Sequence, residues 1–389
     1  MTLRYLTAGE SHGPGLTTIL EGLPSGLELL HADIQVELAR RQQGYGRGGR
    51  MKIETDTAVI QSGVRHGVTL GSPIALWIEN KDFRAWSEEM SPSPVDGFVS
   101  KKVLHRPRPG HADLIGGLKY NHHDLRNVLE RASARETTAR VAVGAICKKL
   151  LKEFGIDITG HVIEIAGERN EQARPDFTNL KNAQENDPVR CFNAEASLRM
   201  QKRIDVAKDA GDTVGGVFEV HVIGVPQGLG SYVHWDHKLD ANIARAILSI
   251  QAVKGVEFGL GFVLGQKSGS EVHDEIAYQS STQNFHHLTN HTGGIVGGMT
   301  NGETIIVRGV MKPISTLYTP LKSVNIISKQ AEEAGIERSD TCAVPAASVI
   351  AENVVAIEIA CAILKKFGGD SLEEIKRNHA SYLQQVQGF

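Results

Sequence analysis

The chain has 389 residues, 41% of them hydrophobic and 22% charged, with a formal net charge of −3. That length and apolar content describe a packed globular protein rather than a disordered one. The near-neutral balance excludes bulk binding to nucleic acid or to a membrane surface, so neither is an expected partner.

In chain order, Ala32 to Gln43 predicts a helix, with Ile34 and Leu38 one turn apart. The stretch RRQQGYGRGGR follows, from Arg40 to Arg50. It holds Arg40, Arg41, Arg47 and Arg50, four glycines and no acid. It satisfies G-x-G-x-x-G, but it follows a helix and precedes a strand, the reverse of a dinucleotide fingerprint. RGG-type arms are repetitive tails, whereas this stretch occurs once inside a foldable region. Two readings stay open here: the wall of a pocket for a small, multiply anionic molecule, or a solvated loop. MKIETDTAVIQSGV predicts a strand pair. SPSPVDG is a loop, and HRPRPGHAD is a second basic loop carrying Arg106, Arg108 and His111.

Ser133 to Glu136 reads as an S-x-x-E capping box with Ser133 as N-cap. Ala139, Val143, Ile146, Leu150 and Phe154 then form one apolar helix face. Lys148, Lys149 and Lys152 suit the negative end of the dipole, and Gly155 suits the residue beyond it. Arg131 and Arg135 flank the helix start, where free N–H groups attract phosphate or carboxylate.

Residues 170–209 are polar and poorly patterned and are expected at the periphery. GGVFEVHVIGV predicts a strand, Asp240 a cap for a helix reaching about Ala252, and GGMTNGETIIVRGV a turn and strand. A helix from Ser348 to Phe367, stopped by Gly368 and Gly369, is expected to end the fold. Its apolar run carries Glu352 and Glu358, which argues against a membrane span. The likeness of KKLLKEFG and ILKKFGG fits two related halves, or chance. Antiparallel strands with a few long helices predict an α+β layered fold.

His12 in GESHG and His111 in PGHAD stand in tight turns beside polar residues. His122-His123 and His286-His287 read as surface pairs. There is no H-E-x-x-H, no closely spaced Cys/His set and no G-x-S-x-G, so neither a metal nor a serine nucleophile is expected. Cys147, Cys191, Cys342 and Cys361 form no C-x-x-C pair, and Cys147 and Cys361, in apolar helix-like surroundings, read as core residues in a reducing compartment. With no apolar leader in MTLRYLTAGESHG, the expected location is the cytoplasm.

GESHGPGL, RRQQGYGRGGR, RPRPGHADLIGGLKY, ERASARET, VKGVEFGLGF, GGMTNG, MKPIST and ERSD occur in this order. Together they closely resemble the chorismate synthase family, from Arg4 to the last helix. The resemblance implies a single domain over 1–389, a layered β-α-β sandwich with helices packed between antiparallel sheets, and a homotetramer. It implies a phosphate-eliminating lyase of the shikimate pathway, converting 5-enolpyruvylshikimate 3-phosphate to chorismate. Reduced FMN is required without net redox change, and NADPH is the possible reductant.

By the same resemblance Arg41, Arg50, Arg108, Arg135 and Arg338 bind substrate, and Arg41 and Arg47 are assigned to NADPH. FMN is implied at Arg131, Ala132, Ser133, Gln251, Ala252, Gly297, Lys312, Pro313, Ile314, Ser315, Thr316 and Arg338. His111 would neutralise the leaving phosphate, His12 would protonate or hold the reduced flavin, and Asp340 would help pass the substrate proton to it. Ala132 stands where the family often has Ser, and Thr341 where Pro is common. Two rival classes are a nucleic-acid arm at 40–50 and a plain flavin reductase.

Overall fold

The computed structural model describes residues 3–48, 55–281 and 283–389. Its helices are α1 (His31–Gln42), α2 (Asp113–Tyr120), α3 (Arg126–Ala132), α4 (Thr137–Lys152), α5 (Phe177–Glu185), α6 (Ala194–Asp209), α7 (Leu239–Leu248), α8 (Gly269–Val272), α9 (Val344–Phe367) and α10 (Leu372–Gln387). A four-stranded sheet runs Arg4–Ala8, Gly15–Glu21, Ile74–Glu79, Ala58–Ile60 in spatial order. A five-stranded sheet runs Val253–Phe258, Ile305–Met311, Gly216–Ile223, Asp157–Ile165, Glu168–Arg169. Every pairing within both is antiparallel.

Two helices fill the space between the sheets. α4 packs on the four-stranded sheet, α9 packs on the five-stranded one, and α4 and α9 lie against each other. α1 flanks α4, and α7 flanks α9. The predicted layered α+β sandwich is therefore the observed one. The close approach of α4 and α9 has a local cause: a Cβ on Gly144 would lie 2.4 Å from the Asn353 Cβ. Leu16, Leu20, Leu76 and Ile78 from one sheet and Val162, Phe218, Val220 and Val307 from the other close the core around both helices. Burying such side chains contributes roughly 1.5–3 kcal/mol each. α9 alone among the described helices has the length and apolarity of a membrane span, yet 83% of that stretch is buried inside the molecule.

Several local expectations change. Ser133 caps a single 3₁₀ turn, Ala134–Glu136, which leads into α4; Glu136 turns instead to Arg140, Thr7 and Gln251, so no reciprocal box forms. The N-cap of α7 is Lys238, not Asp240, and the helix stops at Leu248. α9 starts at Val344, because Pro345 is suited to a first helical turn. It does not end the fold: α10 follows, capped by Ser371. Ala58–Ile60 and Val64–Arg65 are strands that pair elsewhere and not with each other; residues 51–54 lie outside the described set. Segment 170–209 forms α5 and α6, and buries Met200 and Ile204 in the main core.

Lys148 is the clearest departure. Rather than sitting near solvent at a helix end, it turns inward, mostly covered, and donates to Glu37 (2.8 Å) and Glu352 (2.9 Å). Arg40 joins the same two carboxylates at 2.7 Å each and also pairs with Glu185. Arg190 reaches Glu352 and Glu185, both at 3.1 Å. Three cations thus face three carboxylates between α1, α4, α9 and the five-stranded sheet. Burial would raise the Glu352 carboxyl, but Arg40, Lys148 and Arg190 hold it well below the usual range.

Candidate active site

Successive residues of an α-helix point about 100° apart. At the end of α1 this sends Arg40 into the interior network and Arg41 elsewhere. Arg41 donates to Thr137 Oγ1 at 3.1 and 2.9 Å and to the Ala134 carbonyl at 3.0 Å. Its NH1 lies 3.5 Å from Asp56, and Asp56 also pairs with Arg135. Arg135 Nε donates to Asn80 Oδ1 at 2.9 Å. One fully buried carboxylate therefore bridges two buried guanidiniums. Burial draws Arg41 down to about 10; Asp56 opposes the shift, and the like charges of Arg47 and Arg135 add to it.

Beyond α1 the Gly/Arg loop packs on the ERSDTC segment. Thr341 N–H donates to the Gly46 carbonyl at 2.9 Å. Gly46 has φ +83°, and a Cβ there would meet Ile204 at 2.9 Å and Cys342 at 3.1 Å, so only glycine suits the contact. This docking carries Arg47 to Asp340, 3.1 Å between NH1 and Oδ2. Arg338 pairs with Asp82 at 2.9 Å and is 56% exposed along its side chain.

The second basic loop folds on itself. Arg108 makes a two-point contact with Asp113, 2.8 and 3.0 Å, and donates to Thr316 Oγ1 at 2.7 Å. His111 Nδ1 lies 2.6 Å from the same carboxylate. Burial would raise Asp113, but its hydrogen bonds from His111 and Arg108 hold it far below the usual carboxylate range.

His12 is fixed by a residue 118 positions along the chain. Ser11 N–H donates to the Glu130 carbonyl at 3.0 Å, and His12 N–H to Glu130 Oε2 at 2.8 Å. The His12 ring nitrogen Nδ1 is 2.9 Å from Glu130 Oε1. The ring stacks on Trp86, with centroids 3.9 Å apart and planes 18° apart. Lys102 Nζ lies 3.2 Å from the Trp86 ring centre.

These segments enclose one cavity of about 450 Å³. It brings together His12, His111 and Asp340 with Arg41, Arg47, Arg108, Arg135 and Arg338. Ala132, Ser133, Gln251 and Ala252 also line it, as do Lys312, Ile314, Ser315 and Thr316. Lys312 donates to Ser315 Oγ at 2.8 Å. Leu129, Ile250, Met311 and Ile350 supply apolar surface.

Three of the described sequence candidates are not lining residues. Arg131 turns its guanidinium to the carbonyls of Thr7 (2.9 Å) and Gly9 (3.1 Å). Gly297, at φ +60°, lies in the turn between Ile295–Val296 and Met299–Thr300 and is not a lining residue. Pro313 is passed over between lining neighbours. Arg50 lies outside the described residues.

Apart from Asp340, the acids of the site are little marked in the sequence. Asp113 was visible inside PGHAD. Asp56 and Glu130 carried no local signal, being 79 residues from Arg135 and 118 from His12. A further cluster, His161, Glu219 and His221, brings donor atoms within 4.8 Å of one another on neighbouring strands. The cation beside it is protein-borne: Arg174 NH1 lies 3.0 Å from Glu219 and 3.1 Å from His221, and Arg308 also pairs with Glu219.

Clustered guanidiniums oriented by buried carboxylates, with two carboxylate-backed histidines in one cavity, define an enzyme for a small polyanionic substrate. Comparison with known proteins gives the particular family. The model of the family described as chorismate synthase matches residues 3–364. A curated chorismate synthase of Listeria welshimeri is 59% identical over 379 residues, covering 97% of each chain. One from Geobacillus thermodenitrificans is 60% identical over 380 residues, again covering 97% of each. A crystal structure of chorismate synthase superposes with a TM-score of 0.80 at 43% identity, covering 100% of this chain and 99% of that one. The chain belongs to the chorismate synthase family. It is a lyase of the shikimate pathway that converts 5-enolpyruvylshikimate 3-phosphate to chorismate.

Proposed function

We propose that the 450 Å³ cavity is where phosphate is eliminated, and that reduced FMN and substrate would both bind there. The observation that carries this reading is the convergence of five arginines with His12, His111 and Asp340 on that one cavity. Its volume is within the range of ligand sites, roughly 300–1,000 Å³. Its lining also suits a flavin. Leu129, Ile250, Met311 and Ile350 offer an apolar surface for a flat ring, and Lys312, Ser315, Thr316 and Ser133 offer donors for a phosphate. Gln251 and Ala252 complete that set.

The substrate carries two carboxylates and one phosphate, which planar guanidiniums recognise with paired hydrogen bonds. Arg41, Arg108, Arg135 and Arg338, with Arg50, bind these groups. His111, held beside Arg108, neutralises the departing phosphate. His12 would hold or protonate the reduced flavin. Asp340 passes on the proton that leaves the substrate. When bound, reduced flavin supplies electron density as the C–O bond breaks and recovers it as the proton leaves.

Arg41 and Arg47 serve NADPH if the protein reduces its own flavin. A homotetramer is supported by large exposed apolar side chains, among them Trp235, Val233 and Phe262. The decisive experiment is anaerobic phosphate release from the substrate with reduced or oxidised FMN. Release only with reduced flavin, without stoichiometric NADPH consumption, is the expected result. Equal release with oxidised flavin would overturn the cofactor reading.

A further inference from the structure

His12 owes its orientation to a residue 118 positions away. Glu130, at the end of α3, is 3% exposed. Its carboxylate receives the His12 backbone N–H at 2.8 Å and lies 2.9 and 3.0 Å from Nδ1. An ionised carboxylate only accepts hydrogen bonds, so the proton of that contact belongs to Nδ1. The stack on Trp86 fixes the plane of the same ring. Turning the ring over would set a C–H against the carboxylate and leave it short of a partner, an unfavourable exchange in a buried place.

We propose that Glu130 is a positioning residue for the elimination: it holds the proton on His12 Nδ1 and leaves Nε2 as the nitrogen offered to a bound molecule. The inference rests on the reading of His12 as a group that acts in the cavity. His111 and Asp113 stand in the same relation, Nδ1 to carboxylate at 2.6 Å. Asp113 also anchors Arg108, so changing it would disturb a substrate arginine as well. Glu130 is the cleaner test. Its other ionic partner, Arg126 at 3.6 Å, is not among the arginines that line the cavity.

A plain structural role is the competing account, because Glu130 also ties the turn around Ser11 and His12 to α3. Glu130→Gln separates the two. The amide oxygen can still accept the backbone N–H, which preserves the turn. Its NH₂ group would face Nδ1 and favour the other tautomer. The measurements use the flavin-loaded protein. They are ¹⁵N spectra of the histidine rings, assigned to His12 by difference from His12→Ala; kcat and KM; and the double variant Glu130→Gln with His12→Ala.

In the unaltered protein the His12 signal should show protonated Nδ1. In Glu130→Gln that pattern should be lost, with kcat down at least about tenfold and KM within about threefold, since outer partners and tautomer changes of acting histidines have effects of about 10–10⁴-fold. The double variant should be no slower than His12→Ala alone. Retained Nδ1–H, unchanged kcat in Glu130→Gln, or losses that simply multiply in the double variant would overturn the proposal. If His12→Ala itself keeps full activity, the role of His12 fails. If it is inactive while Glu130→Gln is normal, only the role of Glu130 fails. Should Glu130→Gln not fold, Glu130→Asp replaces it: the carboxylate retracts by one methylene, and wild-type kcat there would likewise refute the idea.

Discussion

Asp340 and Arg47 form an ion pair across the cavity wall, with Oδ2 3.1 Å from NH1 while Oδ1 accepts the Gly48 N–H at 2.6 Å. Both carboxylate oxygens are thus engaged by the Gly/Arg loop. Asp340 is not the N-cap of α9, which is Ala343. A purely turn-forming role therefore has little support in the geometry.

Asp340→Asn keeps an acceptor for Gly48 and removes the basic oxygen. The expected result is a folded protein that binds flavin and substrate, with kcat lower by about two orders of magnitude. Thermal melting, substrate binding and kcat should be measured together. A destabilised variant with normal kcat per folded molecule would return Asp340 to a structural role.

Arg108→Lys removes the planar fork shared between Asp113 and Thr316. Substrate binding should weaken by about 2–5 kcal/mol, because a point charge does not replace a paired contact. Equilibrium binding of the substrate to the flavin-loaded protein checks this. Unchanged affinity would mean that Arg108 only shapes the loop.

Glu352→Gln tests the interior network. It leaves Arg40, Lys148 and Arg190 with two carboxylates instead of three. Breaking a buried pair in this way should lower unfolding free energy by about 3–5 kcal/mol. Denaturant titration reads the change, and a loss below about 1 kcal/mol would contradict the account.

His221 gives a pH dependence. Burial holds its pKa below the ordinary histidine value, with Glu219 opposing the shift. A lower folded than unfolded pKa means that the fold favours the neutral ring. That stability is present above about pH 6.5 and is lost as pH falls below it. Melting temperature should therefore drop between pH 7.5 and 5, and His221→Gln should flatten that slope. Equal slopes in the two proteins would exclude His221 as the source.

What could be read from the chain alone was local. The apolar face of α4, the Gly/Arg loop and the two turn histidines show themselves within a dozen residues. Apart from Asp113, the counter-charges of the histidines and of Arg135 do not. Asp56 meets Arg135 only because two distant segments converge, and no spacing rule reports that. Lys148 looked like a dipole-end cation because helical spacing says nothing of a neighbouring helix that brings Glu352. α5 and α6 were obscured by polar residues such as Gln184 and Ser197, which the fold buries with hydrogen-bond partners. α10 buries only Leu372 and Ile375, too few to mark a helix by pattern.

The neighbouring placement of Arg40 and Arg41 bears on how tightly the cavity can hold an anion. α1 cannot rotate without withdrawing Arg40 from three carboxylates, so Arg41 has its bearing set during folding. A long side chain ordinarily loses about 0.5–1.5 kcal/mol of freedom when a ligand immobilises it. Here that loss precedes the ligand's arrival. If Arg41 binds substrate as proposed, the anion meets a guanidinium already still, and more of the energy of that ionic contact survives as affinity.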